Sequence, residues 1–306
     1  MKRFSKIIGL TASVFALQAC ATYPDDTVAA ATPPADIIGE GPALWKVADA
    51  DTTIYLFGTV HALPADVEWK TPTVASALAS SGSLVTEIDM TPQVLASIGP
   101  MMIGKAQLTG GQTLRGLMSD EQRATYEAGL AEVGIPAAAL DGFEPWFAAV
   151  TVTQVMMQKA GYTPDSGVEK VLEEAVPTGT DRVALETIEY GIDIFDGLPL
   201  DKQVEYLVAS LEDLDEGTAM LNQIVAEWAE GDVDDLSELL KRSLVETPDL
   251  AERLFYVRNA NWAEWVDTRL DTPGTAFMAV GAGHLAGEKS VQDYLAARGI
   301  ASQRIQ

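Results

Sequence analysis

Two residue types that supply much of protein chemistry are scarce in this chain. Its 306 residues include one cysteine, Cys20, and two histidines, His61 and His284. A single cysteine excludes an intramolecular disulfide. Two histidines restrict any site that is built on imidazole groups to those two positions.

Positive charge is also scarce. Lys and Arg total 20 against 45 Asp and Glu, so the net charge is −25. Proteins that bind nucleic acid or anionic membranes need clusters of cationic side chains to meet phosphates, so we expect no nucleic-acid partner. The acidity is typical of a solvated surface. It permits a cationic peptide or a metal ion as a partner without indicating either.

Long apolar runs are missing except near the start. Residues 1–20 carry three basic side chains, then an apolar run over residues 7–17, and end in Leu17-Gln18-Ala19-Cys20. This order is typical of an export signal and is too short for a membrane span. Its end resembles the lipobox of bacterial lipoproteins, which predicts that Cys20 is acylated. An ordinary signal peptide with an incidental cysteine is the alternative.

This segment sets the expected location and domain organisation. We expect a lipid-anchored protein of the bacterial cell envelope that faces the periplasm from the outer membrane and meets the membrane through its anchor only. Residues 21–42 are rich in Ala, Pro and Thr, which predicts a flexible tether. Residues 43–306 then form the folded part, and its oligomeric state stays open.

The folded part alternates strand-like and helix-like segments at both of its ends. This pattern predicts an α/β fold with a central mixed β-sheet and a large helical insertion at about residues 91–270. A strand, a turn at Asp49–Thr52 and a strand over Thr53–Val60 open it. Further strands are expected in "SLVTEIDM", "DRVALET", "TAFMAVGAGHL" and "IASQRI".

Both histidines stand in the same local sequence, Gly-x-x-His, from Gly58 to His61 and from Gly281 to His284. With glycine usage of about 7%, this coincidence arises by chance well under one time in a hundred. Each motif closes an apolar strand, so we expect the two imidazoles to share a site at strand ends. The alternative is that each is a hydrogen-bonded core or capping histidine.

Neutral imidazole binds zinc, manganese and cobalt, and a carboxylate would complete a set of three ligands. Glu87 in "SLVTEIDM" is the best-placed carboxylate, Glu186 in "VALET" is second, and Asp89 is third because it shares a strand face with Glu87. The sequence therefore predicts a divalent metal ion, Mn, Co or Zn, bound by His61, Glu87 and His284.

Several stretches resemble the TraB/PrgY/GumN family, whose animal relatives are the TIKI metalloproteases. They include "IYLFGTVHALP", "LVTEID", "AGYTPDSGVEKVL", "ALETIEYGIDIFDGLPLDKQVEYL", "RNANWAEWV" and "FMAVGAGHLAGEKSVQDYLAARGI". The resemblance runs from about Leu44 to Arg304. It implies an α/β core with helical insertions and a metal-dependent hydrolytic site.

Site residues follow from the resemblance position by position. His61, Glu87 and His284 match the metal or catalytic set, and Arg258 with Asn259 match an Arg-Asn pair. Arg258 could hold a substrate carboxylate or oxyanion, or could form an ion pair with a nearby acid. Two positions depart from the family pattern: Gly191 replaces a glutamine, and Glu169 replaces an aspartate.

Two classes of function follow. The first is a metal-dependent hydrolase that cleaves peptide or amide bonds in a peptide or other small exported substrate, with Glu87 as ligand and Glu186, Arg258 and Asn259 assisting catalysis. A metal-independent variant resembles the erythromycin-esterase-like enzymes and uses histidine and glutamate as general bases. The second class is a non-catalytic lipoprotein that binds or sequesters peptides or polysaccharide-related ligands.

Overall fold

The computed structural model describes residues 41–244 and 248–306, and the side chains of residues 243, 244 and 248 are not described. The predicted signal peptide, the acylated Cys20 and nearly all of the predicted tether lie outside the described residues. No helix in the described part of the chain combines the length and apolar composition that a membrane span requires.

A six-stranded mixed sheet forms the centre of the molecule. The strands are β1 Leu44–Ala48, β2 Thr52–Thr59, β3 Ser83–Thr86, β4 Asp181–Ala184, β5 Gly274–Gly281 and β6 Ser302–Arg304. Their order in the sheet is β4-β3-β5-β2-β1-β6. β4, β3, β5 and β2 run parallel, whereas β1 pairs antiparallel with both β2 and β6.

Twelve α-helices lie in the described ranges 41–244 and 248–306. They are α1 Pro72–Ala79, α2 Pro92–Lys105, α3 Asp120–Val133, α4 Pro145–Lys159, α5 Val168–Ala175, α6 Ile188–Asp196, α7 Leu200–Leu211, α8 Leu214–Glu230, α9 Val233–Leu244, α10 Pro248–Ala251, α11 Val257–Leu270 and α12 Val291–Ala297. A π-helical turn, Glu252–Tyr256, joins α10 to α11.

Alternation along the strands separates two apolar cores, one on each face of the sheet. In β2, Ile54 and Leu56 face the core that α11 and α12 cover, and Phe57 faces the core that α1, α5 and α8 cover. This follows from the two-residue period of a strand. A third core lies among α2, α3, α4, α6 and α7, so the helices between β3 and β5 pack largely on one another.

The predicted α/β class with a mixed sheet is confirmed, and so is the opening hairpin of β1 and β2. Three boundaries differ from the expectation. β3 ends at Thr86, so Glu87 and Asp89 follow the strand and do not share one of its faces. β5 ends at Gly281, and His284 lies on a 3-10 turn, Ala282–Leu285. β4 ends at Ala184, so Glu186 in the expected strand "DRVALET" follows the strand.

Candidate functional site

The carboxyl ends of the four parallel strands meet at one edge of the sheet, where open α/β sheets commonly bind ligands. Thr59 at the end of β2 lies opposite Gly281 at the end of β5, and Thr86 at the end of β3 lies opposite Ala184 of β4. Residues just beyond these four ends therefore come close together. They are His61 after β2, Glu87 after β3, Glu186 after β4 and His284 after β5.

The first residue of each Gly-x-x-His motif is glycine because another group lies so close to its backbone that a Cβ would be crowded. A Cβ on Gly281 would lie 3.2 Å from Glu87 Oε1, and the Gly281 N–H donates to that same oxygen at 2.7 Å. A Cβ on Gly58 would lie 3.0 Å from the Cα of Ala282. The glycines thus bring β2, β5 and the carboxylate of Glu87 into contact.

Arg258, on the first turn of α11, is the centre of a buried ion cluster and is 3% exposed. Its Nε donates to both carboxylate oxygens of Glu186 at 2.9 Å. Its Nη2 lies 2.5 Å from Glu87 Oε2 and 2.9 Å from Glu186 Oε2. Its Nη1 donates to the carbonyl of Leu254 at 3.0 Å and lies 3.2 Å from His284 Nε2. All three nitrogens of this guanidinium therefore have hydrogen-bond acceptors inside the protein.

These contacts answer one question that the sequence left open about Arg258. Arg258 is 3% exposed and all three of its guanidinium nitrogens already contact acceptors in the protein, so little of it is accessible to a substrate oxyanion. The geometry favours the ion-pair alternative, in which Arg258 balances the charge of Glu87 and Glu186.

His284 and Asn259 are enclosed beside this cluster, each 1% exposed. His284 Nδ1 lies 2.6 Å from Asn259 Oδ1, and Asn259 Nδ2 donates to the carbonyl of Lys289 at 2.8 Å. The rings of Phe255 and Trp262 flank the imidazole, with centroids 4.9 and 4.3 Å away. The structure thus places the side chain of Asn259 in hydrogen-bond contact with His284.

The pKa values of the carboxylates and of His284 follow from burial and from Arg258. Burial raises the pKa of Glu87, but its neighbours, Arg258 first among them, more than offset burial, so this pKa lies below its usual value. Burial raises the pKa of Glu186 above its usual value, although Arg258 opposes the rise. Burial and then Arg258 hold the pKa of His284 well below its usual range. The site thus holds a charged Glu87 next to a neutral His284.

His61 lies on the same edge but belongs to a different hydrogen-bonded group. Its Nδ1 is 2.5 Å from Glu169 Oε1, and its side chain is 16% exposed. The Thr59 hydroxyl donates to the same oxygen. Burial raises the pKa of Glu169, but His61 and Thr59 outweigh burial and leave this pKa below its usual value. Glu169 is therefore a buried, charged partner of His61.

In the sequence, Glu169 stands out only as a departure from the family pattern, and no role follows from that. One available signal was its place on α5, three residues before Leu172, on the side of the helix that is buried with Val168. A buried carboxylate needs a donor or a cation nearby. Gly167 at the start of α5 packs on the carbonyl of His61, and this contact brings Glu169 to the imidazole.

The three predicted metal ligands, His61, Glu87 and His284, are not arranged around one point. His284 Nε2 and Glu87 Oε1 lie 3.8 Å apart, but Arg258 contacts both side chains. Among the described residues, the one group of three His, Cys, Asp or Glu whose ligand atoms all lie within 4.8 Å of one another is Glu227, Asp232 and Asp235. As arranged, His61, Glu87 and His284 do not fit a shared ion. The metal set, and the choice among Mn, Co and Zn, stay predictions.

Asp89 and Gly191 lie outside the cluster's contacts. Asp89 Oδ1 accepts the N–H of Thr91 at 2.8 Å, which stabilises the turn that leads into α2. Gly191 is buried in the first turn of α6, where its N–H donates to the carbonyl of Thr187 at 3.2 Å. The departure at Gly191 therefore falls on the buried side of α6, the helix that follows Glu186 in the chain.

Comparison with known proteins gives one match. The model of the TraB/PrgY/gumN family matches residues 43–304. No curated protein and no solved structure matches the chain.

Proposed function

Because the chain belongs to the TraB/PrgY/gumN family over residues 43–304, we propose that it is a cell-envelope hydrolase in which His61 activates water. Its substrate is a peptide or other small exported molecule with a peptide, amide or ester bond. The observation that carries this proposal is the 2.5 Å contact between His61 Nδ1 and Glu169 Oε1.

Glu169 prepares His61 for proton transfer. A charged carboxylate at Nδ1 fixes the proton of the neutral imidazole on that nitrogen, so Nε2 carries the lone pair. Nε2 then takes a proton from a water molecule as the water attacks the carbonyl carbon of the substrate. The same proton is delivered to the leaving group when the tetrahedral intermediate breaks down. Glu169 stabilises the imidazolium that forms in between.

Glu87 contributes through its charge. The attraction that lowers the pKa of Glu87 in the presence of His61 also stabilises the cationic form of His61. Arg258 and the Gly281 N–H hold the carboxylate of Glu87 in place. Glu186 fixes the guanidinium of Arg258 from the other side. We assign Glu186, Arg258 and Asn259 to the support of this arrangement.

A cleavage assay against a peptide library and a panel of esters, read by mass spectrometry, tests the proposal. We expect His61→Gln to lose about 10²- to 10⁴-fold in rate, the usual contribution of a general base. Glu169→Gln should lose activity as well. The matched control is Glu173→Gln, on the same helix, whose side chain pairs with Arg182 at the surface. This control should leave the rate unchanged.

The same assay separates the other candidates. Activity that survives exhaustive chelation supports the general-base hydrolase. Activity that chelation abolishes and Mn, Co or Zn restores supports the metal-dependent form that the sequence predicts. Binding of library peptides without any cleavage would support the non-catalytic alternative and contradict the proposal.

A further inference from the structure

We infer that Arg258 is the resident cation of this site and that His284 is a neutral positioning residue that holds it, not a metal ligand or a base. The two Gly-x-x-His motifs would then have different roles. This inference concerns how the site is built, and it stands whether or not the site hydrolyses a bond.

The hydrogen bonds of Asn259 fix which nitrogen of His284 carries the proton. Asn259 Nδ2 donates to the carbonyl of Lys289 at 2.8 Å, which turns its Oδ1 towards His284 Nδ1 at 2.6 Å. An amide oxygen only accepts, so Nδ1 must be the donor.

Arg258 fixes the state of the other nitrogen. The guanidinium is always protonated and only donates, and its Nη1 lies 3.2 Å from His284 Nε2. A proton on Nε2 would set two donors against each other. His284 is therefore neutral, with its proton on Nδ1 and its Nε2 lone pair occupied by Arg258.

The backbone that supports Asn259 is itself constrained. Lys289 has φ +59°, the one positive φ at a non-glycine residue in the described ranges. Such a conformation costs about 1 kcal/mol or more and persists where surrounding contacts over-determine it. Here the Lys289 carbonyl accepts the bond from Asn259, and its ammonium lies 4.2 Å from the centroid of the Tyr256 ring. Strain is thus retained at the residue that orients the Asn259–His284–Arg258 chain of contacts.

These contacts hold Arg258 where its positive charge balances two buried carboxylates. Glu87 and Glu186 are buried carboxylates that both contact Arg258, so one fixed positive charge is shared between them. An ion bound by His284 Nε2 would have to displace Arg258 Nη1 from that nitrogen. It would also add a second cation beside the guanidinium that already contacts Glu87 Oε2. The guanidinium therefore takes the place that the sequence assigned to a metal ion.

Nitrogen NMR of protein labelled with ¹⁵N-histidine tests the inference directly, because the chain has only two histidines, His61 and His284. A His61→Gln variant assigns the two signals. We expect His284 to show a bonded proton on Nδ1 and none on Nε2 at neutral pH. We also expect both nitrogen shifts of His284 to stay unchanged when one equivalent of Zn²⁺ is added.

Asn259→Leu provides the perturbation, because it removes the acceptor that holds the Nδ1 proton. We expect the signal of the proton on His284 Nδ1 to shift upfield in this variant, because that proton loses its acceptor, while Nε2 stays unprotonated towards Arg258. Asn261→Leu is the matched control, since Asn261 is an exposed asparagine on the same helix, and it should leave the Nδ1 proton signal unchanged. A proton on Nε2 in the natural protein, a zinc-induced shift at Nε2, or an unshifted Nδ1 proton in Asn259→Leu would each overturn the inference.

A rescue experiment separates positioning from mere packing. His284→Gln keeps one donor and one acceptor for Asn259 and Arg258, whereas His284→Leu keeps neither. We expect His284→Gln to retain a cooperative unfolding transition at a higher temperature than His284→Leu. Equal melting temperatures for the two variants would count against the positioning role.

Discussion

At the scale of single residues, two histidines with the same local sequence have different surroundings. His61 is partly exposed beside a charged Glu169, whereas His284 is enclosed between Phe255 and Trp262 with both ring nitrogens in contact with neighbours. The shared Gly-x-x-His pattern therefore encodes the close approach of backbones at the ends of β2 and β5. The role of each imidazole depends on the helices that pack against it.

Replacement of Arg258 should lower the free energy of unfolding far more than replacement of a surface arginine. Arg258→Met leaves Glu87 and Glu186 buried without their cation, and breaking such a pair from one side costs about 3–5 kcal/mol. Arg182→Met removes an exposed pair with Glu173 and should cost under about 1 kcal/mol. Urea denaturation of both variants measures the difference. Similar losses in the two variants would contradict the proposed charge balance.

The depressed pKa of His284 predicts a pH dependence of stability. Its pKa in the folded protein lies well below 6.5, the ordinary value. Below that pH the unfolded chain gains a proton that folded His284 does not take up. The contribution of His284 to the free energy of unfolding is therefore complete above pH 6.5. It is lost progressively as the pH falls towards the folded pKa, by up to about 1.4 kcal/mol per pH unit.

The measurement is the free energy of unfolding from urea curves between pH 7 and pH 5, with a chelator present. His284→Gln lacks this titrating group, so its stability should fall less steeply than that of the natural protein over this range. The lowered carboxylate pKa values, such as that of Glu87, act only below about pH 4.5 and do not interfere. Parallel curves for the two proteins would refute the prediction.

Much of the candidate site was predictable from sequence because strand ends concentrate functional groups. Each of His61, Glu87 and Glu186 follows an apolar segment read as a strand, so the sequence predicts that they share one sheet edge. The family resemblance added Arg258 and Asn259. The partnership of Glu169 was not predicted. It lies on a helix rich in acids and reaches His61 only through the tertiary contact of Gly167 with the backbone of that histidine.

At the scale of elements, local sequence signals mark a helix end where residues close in sequence form hydrogen bonds with the free backbone groups of that end. Ser119 and Gln122 form a reciprocal capping box at the start of α3, and Gly134 ends that helix in the left-handed region. The end of β5 was harder to locate, because the apolar run continues past Gly281 while the chain turns to bring His284 under α11. That turn is dictated by packing, which a local pattern does not contain.

The junction between α5 and the loop after β2 provides a test at this scale. A Cβ on Gly167 would lie 2.1 Å from the carbonyl oxygen of His61, so Gly167→Ala must push the two elements apart. We expect a loss of about 1–3 kcal/mol, as for other overpacked positions, together with a weakened His61–Glu169 contact. Chemical denaturation and the ¹⁵N signals of His61 report the two effects.

Gly104 in α2 is the control for this substitution, because a Cβ there meets no atom within 4 Å. Gly104→Ala should leave the site unchanged and raise stability by up to about 1 kcal/mol, the usual helix preference of alanine over glycine. A Gly167→Ala protein as stable as Gly104→Ala would show that α5 can move without consequence for the fold.

At the scale of the whole molecule, the acidic balance of the chain should oppose compaction. The net charge is −25, and like charges are closer together in the folded protein than in the unfolded chain. Glu227, Asp232 and Asp235 form one such group of like charges, with one carboxylate oxygen of each within 4.8 Å of the others. There burial, followed by Asp235, Asp232 and Glu230, raises the pKa of Glu227.

Neutralising Glu227 should therefore stabilise the protein at low ionic strength. Glu227 also lies near the carboxyl end of α8, where a negative charge is unfavourable. We expect Glu227→Gln to raise the free energy of unfolding by about 0.2–0.5 kcal/mol in dilute buffer. The gain should disappear in about 1 M NaCl, where the Debye length falls to about 3 Å.

Asp267→Asn is the control for Glu227→Gln, because it neutralises an acid that has a cationic partner. Asp267 lies near the carboxyl end of α11, in the same relation to its helix, but it accepts a hydrogen bond from Arg298 at 3.0 Å. Its neutralisation removes an attraction, so stability in dilute buffer should stay the same or fall slightly. If self-repulsion is the cause, salt must raise the melting temperature of the natural protein more than that of Glu227→Gln. A melting temperature that falls with salt in the natural protein would mean that attractive pairs, and not the excess of acids, dominate its surface electrostatics.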